Sequence, residues 1–257
     1  MGGGAPGEGG RRAAGPDRPQ EEPGVRRDGV FVTGTDTGVG KTLISVALVE
    51  ALAATGLAVV GMKPVASGCE RVGGRLRNAD ALALQRASSV PLPYEMVNPF
   101  AFEPPVSPDE AARRSGRSID LGHLLEVRDA LAEQAGFLVI EGIGGWKVPF
   151  DRVHDVAELA RRLDYPVLLV VGLRLGCINH ARLTVESIRS SGVSLAGWVA
   201  SQLDPGYEPE GTLATLTGFI GQPPLLAIPW LGAGADTLPP RCRTALGRIV
   251  AAQYESI

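Results

Sequence analysis

Fourteen residues near the start of the chain, Gly29-Val-Phe-Val-Thr-Gly-Thr-Asp-Thr-Gly-Val-Gly-Lys-Thr42, leave few folds open. The apolar run Val30-Phe31-Val32 reads as a buried β-strand. A loop with Gly34, Gly38 and Gly40 follows, and residues 43–54 then have helical composition with no breaker. Strand, glycine-rich loop and helix in this order make a phosphate-binding P-loop. Its glycines let backbone N–H groups approach phosphate oxygens closely. The helix N-terminus adds unpaired N–H donors and a partial positive charge. The expected nucleotide cradle is therefore Gly38, Val39, Gly40, Lys41, Thr42 and Leu43, with Lys41 on the β/γ-phosphates and the Thr42 hydroxyl on Mg²⁺. The spacing departs from the common motif, because five residues rather than four separate Gly34 from Gly40.

Downstream, strand and helix segments alternate. Residues 57–62 read as a second strand ending at Lys63-Pro-Val-Ala-Ser67-Gly. Ligands of open parallel sheets sit beyond the carboxyl ends of strands, so Lys63 and Ser67 fall on the functional edge; a solvated loop lysine is the plain alternative. Residues 71–78 read as an exposed loop before a helix at 79–87, which either Asn78 or Asp80 could cap. A carboxylate near Mg²⁺ is the other reading of Asp80. The proline-rich stretch 91–108 reads as irregular and surface-lying. Two helices, about 109–115 and 119–135, lead to Phe137-Leu-Val-Ile-Glu141-Gly142-Ile143-Gly144-Gly-Trp146. Four apolar residues running into an acid and then glycines describe a buried central strand with a metal-associated carboxylate at its end. Further segments are a helix 153–163, a strand 165–172, a helix 180–191, a strand 193–200 ending at Ser201-Gln202, a helix 207–220, a strand 225–230 and a helix 238–254. Asn179, just ahead of the helix at 180, reads as an N-cap or as part of a second anion site. The alternation argues an α/β fold of the P-loop NTPase type: a doubly wound, mostly parallel sheet with helices on both faces.

Composition narrows the function classes. A net charge of −3 and no Lys/Arg-rich run in the folded part speak against a nucleic-acid partner. No apolar stretch reaches the length of a membrane span, so no membrane partner is expected. Three scattered cysteines form no CxxC, which fits a reducing cytoplasm rather than a disulfide framework. Cys177 and His180 lack further ligands that would make a metal site. Residues 1–28, rich in Gly, Arg and Pro, read as a disordered tail before one domain at 29–257.

Several stretches together resemble the ATP-dependent dethiobiotin synthetases: Val32-Thr-Gly-Thr-Asp-Thr-Gly-Val-Gly-Lys-Thr42, Lys63-Pro-Val-Ala-Ser-Gly68, Leu76-Arg-Asn-Ala-Asp-Ala-Leu-Ala-Leu-Gln85, Val97-Asn-Pro-Phe100, Val139-Ile-Glu-Gly-Ile-Gly-Gly-Trp146, Leu175-Gly-Cys-Ile-Asn-His-Ala181, Leu195-Ala-Gly-Trp-Val-Ala200 and Ile228-Pro-Trp230. The five-residue spacing in the P-loop is itself a mark of that family. The resemblance implies a ligase of biotin biosynthesis that builds the ureido ring of dethiobiotin from CO₂ and 7,8-diaminononanoate, with ATP as co-substrate and Mg²⁺ as cofactor. It implies Lys41 and Lys63 as the phosphate- and carbamate-stabilising cations. Thr42, Asp80 and Glu141 become metal ligands, and Thr37 and Ser67 contacts to the diamine or its carbamate. Gly142, Ile143 and Gly144 would line the same pocket. Ser201, Gln202, Pro229, Trp230 and Leu231 match adenine-binding segments. It further implies a homodimer in which Asn179 of one subunit meets the substrate carboxylate bound by the other.

Three positions depart from the family. Gly38 stands where some members carry Glu, Ser201 replaces an Asn that reads adenine, and near Thr212 a substrate-binding Tyr is absent, for which Tyr207 could compensate. The competing class is a ParA/MinD-like partition or positioning ATPase on a similar fold. Aligned on Gly38-Val-Gly-Lys-Thr42, the lysine such switches use across a dimer falls at Asp36 here, which argues against it.

Overall fold

A computed structural model of the chain describes residues 1–3, 28–232, 234–235 and 237–255. Most of the segment expected to be a disordered tail, residues 4–27, lies outside the described residues. Asp28, counted with that tail, belongs to the sheet edge, because its carbonyl accepts the Leu138 N–H at 3.0 Å.

In chain order the elements are β1 (Gly29–Gly34), α1 (Lys41–Ala53), β2 (Val59–Met62), β3 (Val65–Ala66), β4 (Glu70–Val72), β5 (Arg75–Arg77), α2 (Ala79–Ala87), α3 (Tyr94–Val97), β6 (Phe100–Ala101), α4 (Pro108–Arg114), α5 (Leu121–Ala132), β7 (Phe137–Glu141), α6 (Val156–Leu163), β8 (Val167–Leu173), α7 (Cys177–Ser190), β9 (Leu195–Gln202), α8 (Glu210–Ile220), β10 (Leu226–Ile228) and α9 (Pro240–Glu255). Six strands form one sheet in the order β10-β9-β8-β1-β7-β2, every pair parallel. Parallel neighbours need long crossovers, which the helices supply. α1 packs on β1, β2 and β7 and against α2 and α9; α5 packs on β7 and against α6; α7 packs on β8 and against α8. The helices thus enclose both faces of a doubly wound sheet. That cover explains why every residue of β7 and β8 is buried, and why both are unbroken apolar runs but for the terminal Glu141, itself buried.

The order of strands decides where a ligand fits. The chain lays β2 at one edge, returns to place β7 beside β1, then crosses β1 to lay β8 on its other side. The crevice at such a reversal opens at the carboxyl ends of the strands. The P-loop, Lys63 and Glu141 all follow or end strands on that side.

Three segments differ from the sequence expectation. Residues 71–78 are not a plain loop, because β4 and β5 pair antiparallel across Gly73 and Gly74. Both glycines have positive φ, 58° and 80°, as a tight two-residue hairpin turn requires. The exposed, polar arms hid that hairpin. The stretch 91–108 is only in part surface-lying: Pro91, Pro93, Glu95, Glu103, Pro105 and Ser107 are exposed, while Tyr94, Val97, Phe100 and Phe102 are buried in the core. It threads past the sheet, and β6 pairs with β3. Finally, α7 begins at Cys177 with Gly176 as its N-cap residue, so Asn179 sits inside the first turn and does not cap it.

Leu169, in the middle of β8, is fully buried between the helical layers. Leu169→Ala removes that packing and leaves a cavity, so it is predicted to lower the unfolding free energy by about 2–5 kcal/mol. Urea unfolding measures it; a loss below about 1 kcal/mol would contradict a close-packed sheet interior.

Candidate active site

Lys63 is the first residue after β2. Its side chain is 3% exposed as a residue, and Glu141 at the end of β7 is 0% exposed. A buried charge must be paired and hydrogen-bonded. The ammonium of Lys63 has three donors and three acceptors: Glu141 Oε1 at 2.5 Å, Asp80 Oδ2 at 3.1 Å and the Gly142 carbonyl at 3.2 Å. Burial works against the ammonium, but the two carboxylates outweigh it and hold the Lys63 pKa above its ordinary value. The same contact has the converse effect on Asp80. Burial would raise its pKa, and the Lys63 charge overrides burial and lowers it. The choice left open for the start of α2 is thereby decided. Asn78 is the cap, its Oδ1 accepting the Ala81 N–H at 3.1 Å, and Asp80 turns toward Lys63.

The P-loop faces this cluster. Thr42 donates its hydroxyl to Glu141 Oε1 at 2.9 Å. Lys41 donates to the Asp36 carbonyl at 2.8 Å, within its own loop. Burial, and then the nearby Lys63 ammonium, push the Lys41 pKa down to about 8. Gly38 and Gly40 have φ of 74° and 95°, a region in which a side chain is strained. Val39 points the other way, into the core. A Cβ on Gly34 would lie 2.6 Å from it and one on Gly172 2.8 Å from it, so glycines on β1 and β8 make its seat.

A cavity of about 810 Å³ joins these parts. Thr37, Gly38, Gly40, Lys41, Thr42, Leu43, Lys63, Ser67, Asp80, Glu141, Ile143 and Gly144 line it, which is most of the set expected from the sequence. Gly142 takes part through its carbonyl on Lys63. Ser201 stands against the P-loop, 3.2 Å from where a Cβ on Gly40 would lie. Gln202 accepts the Trp230 N–H at 3.3 Å, so the segment Pro229–Leu231 is tied to the end of β9. Ser201, Gln202, Pro229, Trp230 and Leu231 do not line this cavity. Nor does Asn179, which lines a separate one of about 620 Å³, with Leu175, Arg182, Leu183 and Tyr207. Leu175 and Leu183 there are 93% and 58% exposed. Tyr207 places its hydroxyl 2.5 Å from Thr212 Oγ1.

Oxygen ligands for a hard cation are present. Thr42, Asp80 and Glu141 converge, and Glu141 Oε2 is buried with no hydrogen-bond partner among the described residues. Two carboxylates and a hydroxyl, leaving room for water and phosphate, suit Mg²⁺.

Several contributions were not foreseen from the sequence. Asp36, noted there only for standing where a switch ATPase has lysine, pairs its Oδ2 with Arg174 at 2.5 Å while its Oδ1 accepts the Thr37 N–H at 2.7 Å, bracing the P-loop against the loop after β8. Pro105, Val106, Ser107 and Pro108 complete the cavity wall. Reading 91–108 as surface hid them, although its aromatic content was a usable signal.

Comparison with known proteins gives the family and the fold. Residues 28–235 match the AAA domain family. The chain is 48% identical over 213 residues to the ATP-dependent dethiobiotin synthetase BioD of Chromohalobacter salexigens, covering 79% of this chain and 90% of the relative. It is 49% identical over 203 residues to the enzyme of the same name from Pseudomonas paraeruginosa, covering 78% and 89%. Among solved structures, the cell division ATPase MinD of Pyrococcus furiosus superposes with TM-score 0.55 at 14% identity, over 88% of this chain and 99% of that one. A ParA family ATPase from Chlorobium tepidum gives TM-score 0.53 at 12% identity, over 90% and 100%. Likeness at that identity shows a shared fold and nothing more.

Removing one member of the buried cluster should be costly. Glu141→Ala leaves the Lys63 ammonium buried with Asp80 alone and is predicted to destabilise the protein by about 3–5 kcal/mol. Denaturant unfolding without nucleotide checks it; an unchanged midpoint would show that the ammonium is not held by this pair.

Proposed function

This chain belongs to the ATP-dependent dethiobiotin synthetase family, and on that premise we propose that the cavity between Lys63 and the P-loop joins CO₂ to 7,8-diaminononanoate. One observation carries the reading. The buried Lys63 ammonium lies in one cavity with the phosphate-binding loop, its own buried lysine Lys41, and the polar side chains Thr37 and Ser67.

The reaction is a problem of bringing anions together. One amine of the diamine adds to CO₂, loses a proton and becomes a carbamate. A carbamate oxygen attacks the γ-phosphorus of ATP and ADP leaves. The second amine attacks the carbonyl carbon of the mixed carbamic–phosphoric anhydride, phosphate departs, and the ureido ring closes. Fixed donors and cations that meet the developing charge are the main catalytic resource of such a site. Lys41 and the P-loop amides hold the phosphates. Lys63 stabilises the carbamate and the transferring phosphoryl group. Thr37 and Ser67 orient the diamine. Thr42, Asp80 and Glu141 are the residues that would hold Mg²⁺, which when bound neutralises charge on the β- and γ-phosphates.

Gly40, Ser201 and the tied Gln202–Trp230 segment form the nucleoside end. We infer a homodimer in which Asn179 and Tyr207 serve a substrate bound mainly by the partner subunit. Its support is that both line a cavity apart from the P-loop, rimmed by exposed Leu175 and Leu183. Three free cysteines, Cys69, Cys177 and Cys242, suit a reducing cytoplasm. Among the described residues no helix is long and apolar enough to cross a membrane. A ParA/MinD-like switch gains nothing from the site, since Asp36 stands where that switch would need lysine and instead pairs with Arg174.

Purified protein with Mg²⁺, ATP and bicarbonate is predicted to release phosphate only when 7,8-diaminononanoate is added, with dethiobiotin formed in equal amount. Phosphate release indifferent to the diamine would sink the assignment. For Ser201 the expected result is weak base discrimination, with CTP and GTP turned over within about a hundredfold of ATP, because a site without base-specific hydrogen bonds rejects poorly. Ser201→Asn should widen the gap in favour of ATP; strict ATP use by the unaltered protein would show that other groups read the base.

A further inference from the structure

We propose that Tyr94 and Asn98, which touch neither the P-loop nor the cavity, are positioning residues that set where the Lys63 ammonium stands; this rests on the role given to Lys63 above. Both are buried, in the stretch 91–108. Lys63 is held by its main chain on both sides. Its N–H donates to the Val97 carbonyl at 2.8 Å, and its carbonyl accepts Asn98 Nδ2 at 2.7 Å. Asn98 Oδ1 in turn accepts the Tyr94 hydroxyl at 3.0 Å, and that hydroxyl accepts the Asn78 backbone N–H at 2.7 Å. Asn78 caps α2, whose first turn carries Asp80. Asp80 closes the ring on Lys63 Nζ at 3.1 Å.

The Tyr94 hydroxyl gives the ring its direction, and Asn98 Nδ2 also reaches the Phe100 carbonyl at 3.4 Å. A phenol has a single proton. Once the Asn78 N–H points at the Tyr94 oxygen, that proton is free to go to Asn98 Oδ1. The amide of Asn98 is then oriented with its NH₂ toward Lys63. Arg77 lies over the Tyr94 ring, 4.0 Å from its centroid, and holds the ring from the solvent side. The segment bearing Lys63 and the helix bearing Asp80 are therefore joined twice, once through the ion pair and once through Asn98, Tyr94 and Asn78. A cation that must move from Asp80 and Glu141 to an anionic substrate works from a backbone held in place by the second joint. Small errors of placement at such a group are expensive in rate.

Tyr94→Phe removes one oxygen and leaves the ring and its packing. The expected result is a kcat about tenfold lower with the KM for ATP within about twofold, since the P-loop is untouched. The decisive comparison repeats the substitution in a Lys63→Gln background, read by single-turnover phosphate release. If Tyr94 acts through Lys63, the loss disappears there, because residues in one network are not additive. The same factor of loss in both backgrounds, or no loss in the first, overturns the proposal. Lys63→Gln alone at full activity would instead overturn the role of Lys63, a separate result. Should Tyr94→Phe not fold, Asn98→Leu, of similar volume, uncharged and without the donor to the Lys63 carbonyl, carries the same comparison.

Discussion

The buried ammonium of Lys63 is the interaction on which the site depends. Removing a charge from water carries a penalty of several kcal/mol, and only well-placed partners offset it. Here the partners come from three places: Glu141 at the end of β7, Asp80 in the first turn of α2, and the carbonyl of Gly142. None is near Lys63 in sequence. A parallel sheet brings the carboxyl ends of β2 and β7 side by side, and α2 lies against β2. The charge cluster is therefore a product of topology, and the sheet in turn must be rigid to sustain it.

The P-loop supplies the complementary half. Its backbone adopts left-handed conformations at Gly38 and Gly40, and it is seated by Val39 against bare backbone on β1 and β8. Arg174 braces it from the loop after β8 through Asp36. Thr42 then reaches across to Glu141, so the phosphate half and the ammonium half share one carboxylate oxygen. In a water-poor site such fixed dipoles and charges act more strongly than they would in bulk solvent.

The end of β9 is tied to its surroundings by polar contacts. Ser201 sets its hydroxyl against Gly40 of the P-loop, and Gln202 is occupied with the main chain of 204, 207 and 230. Tyr207 delivers its hydroxyl to Thr212 from five residues earlier in the chain.

What the sequence by itself determined was local. The P-loop, the buried strands of β7 and β8 and the alternation of strand and helix are written in runs of neighbouring residues, since periodicity and glycine placement act over a few positions. Glu141 and Lys63 were legible too, because strand ends face the ligand side of any parallel sheet. The Gly73-Gly74 hairpin and the buried part of 91–108 escaped, the first because its arms are polar, the second because prolines outweighed its aromatics. Only the tertiary structure decided between Asn78 and Asp80 as the cap of α2, joined Tyr94 and Asn98 to Lys63, and set Asn179 apart from the P-loop cavity. Those outcomes follow from strand order and from hydrogen bonds between segments tens of residues apart. No run of adjacent side chains encodes such a contact; it exists only once the core has closed around it.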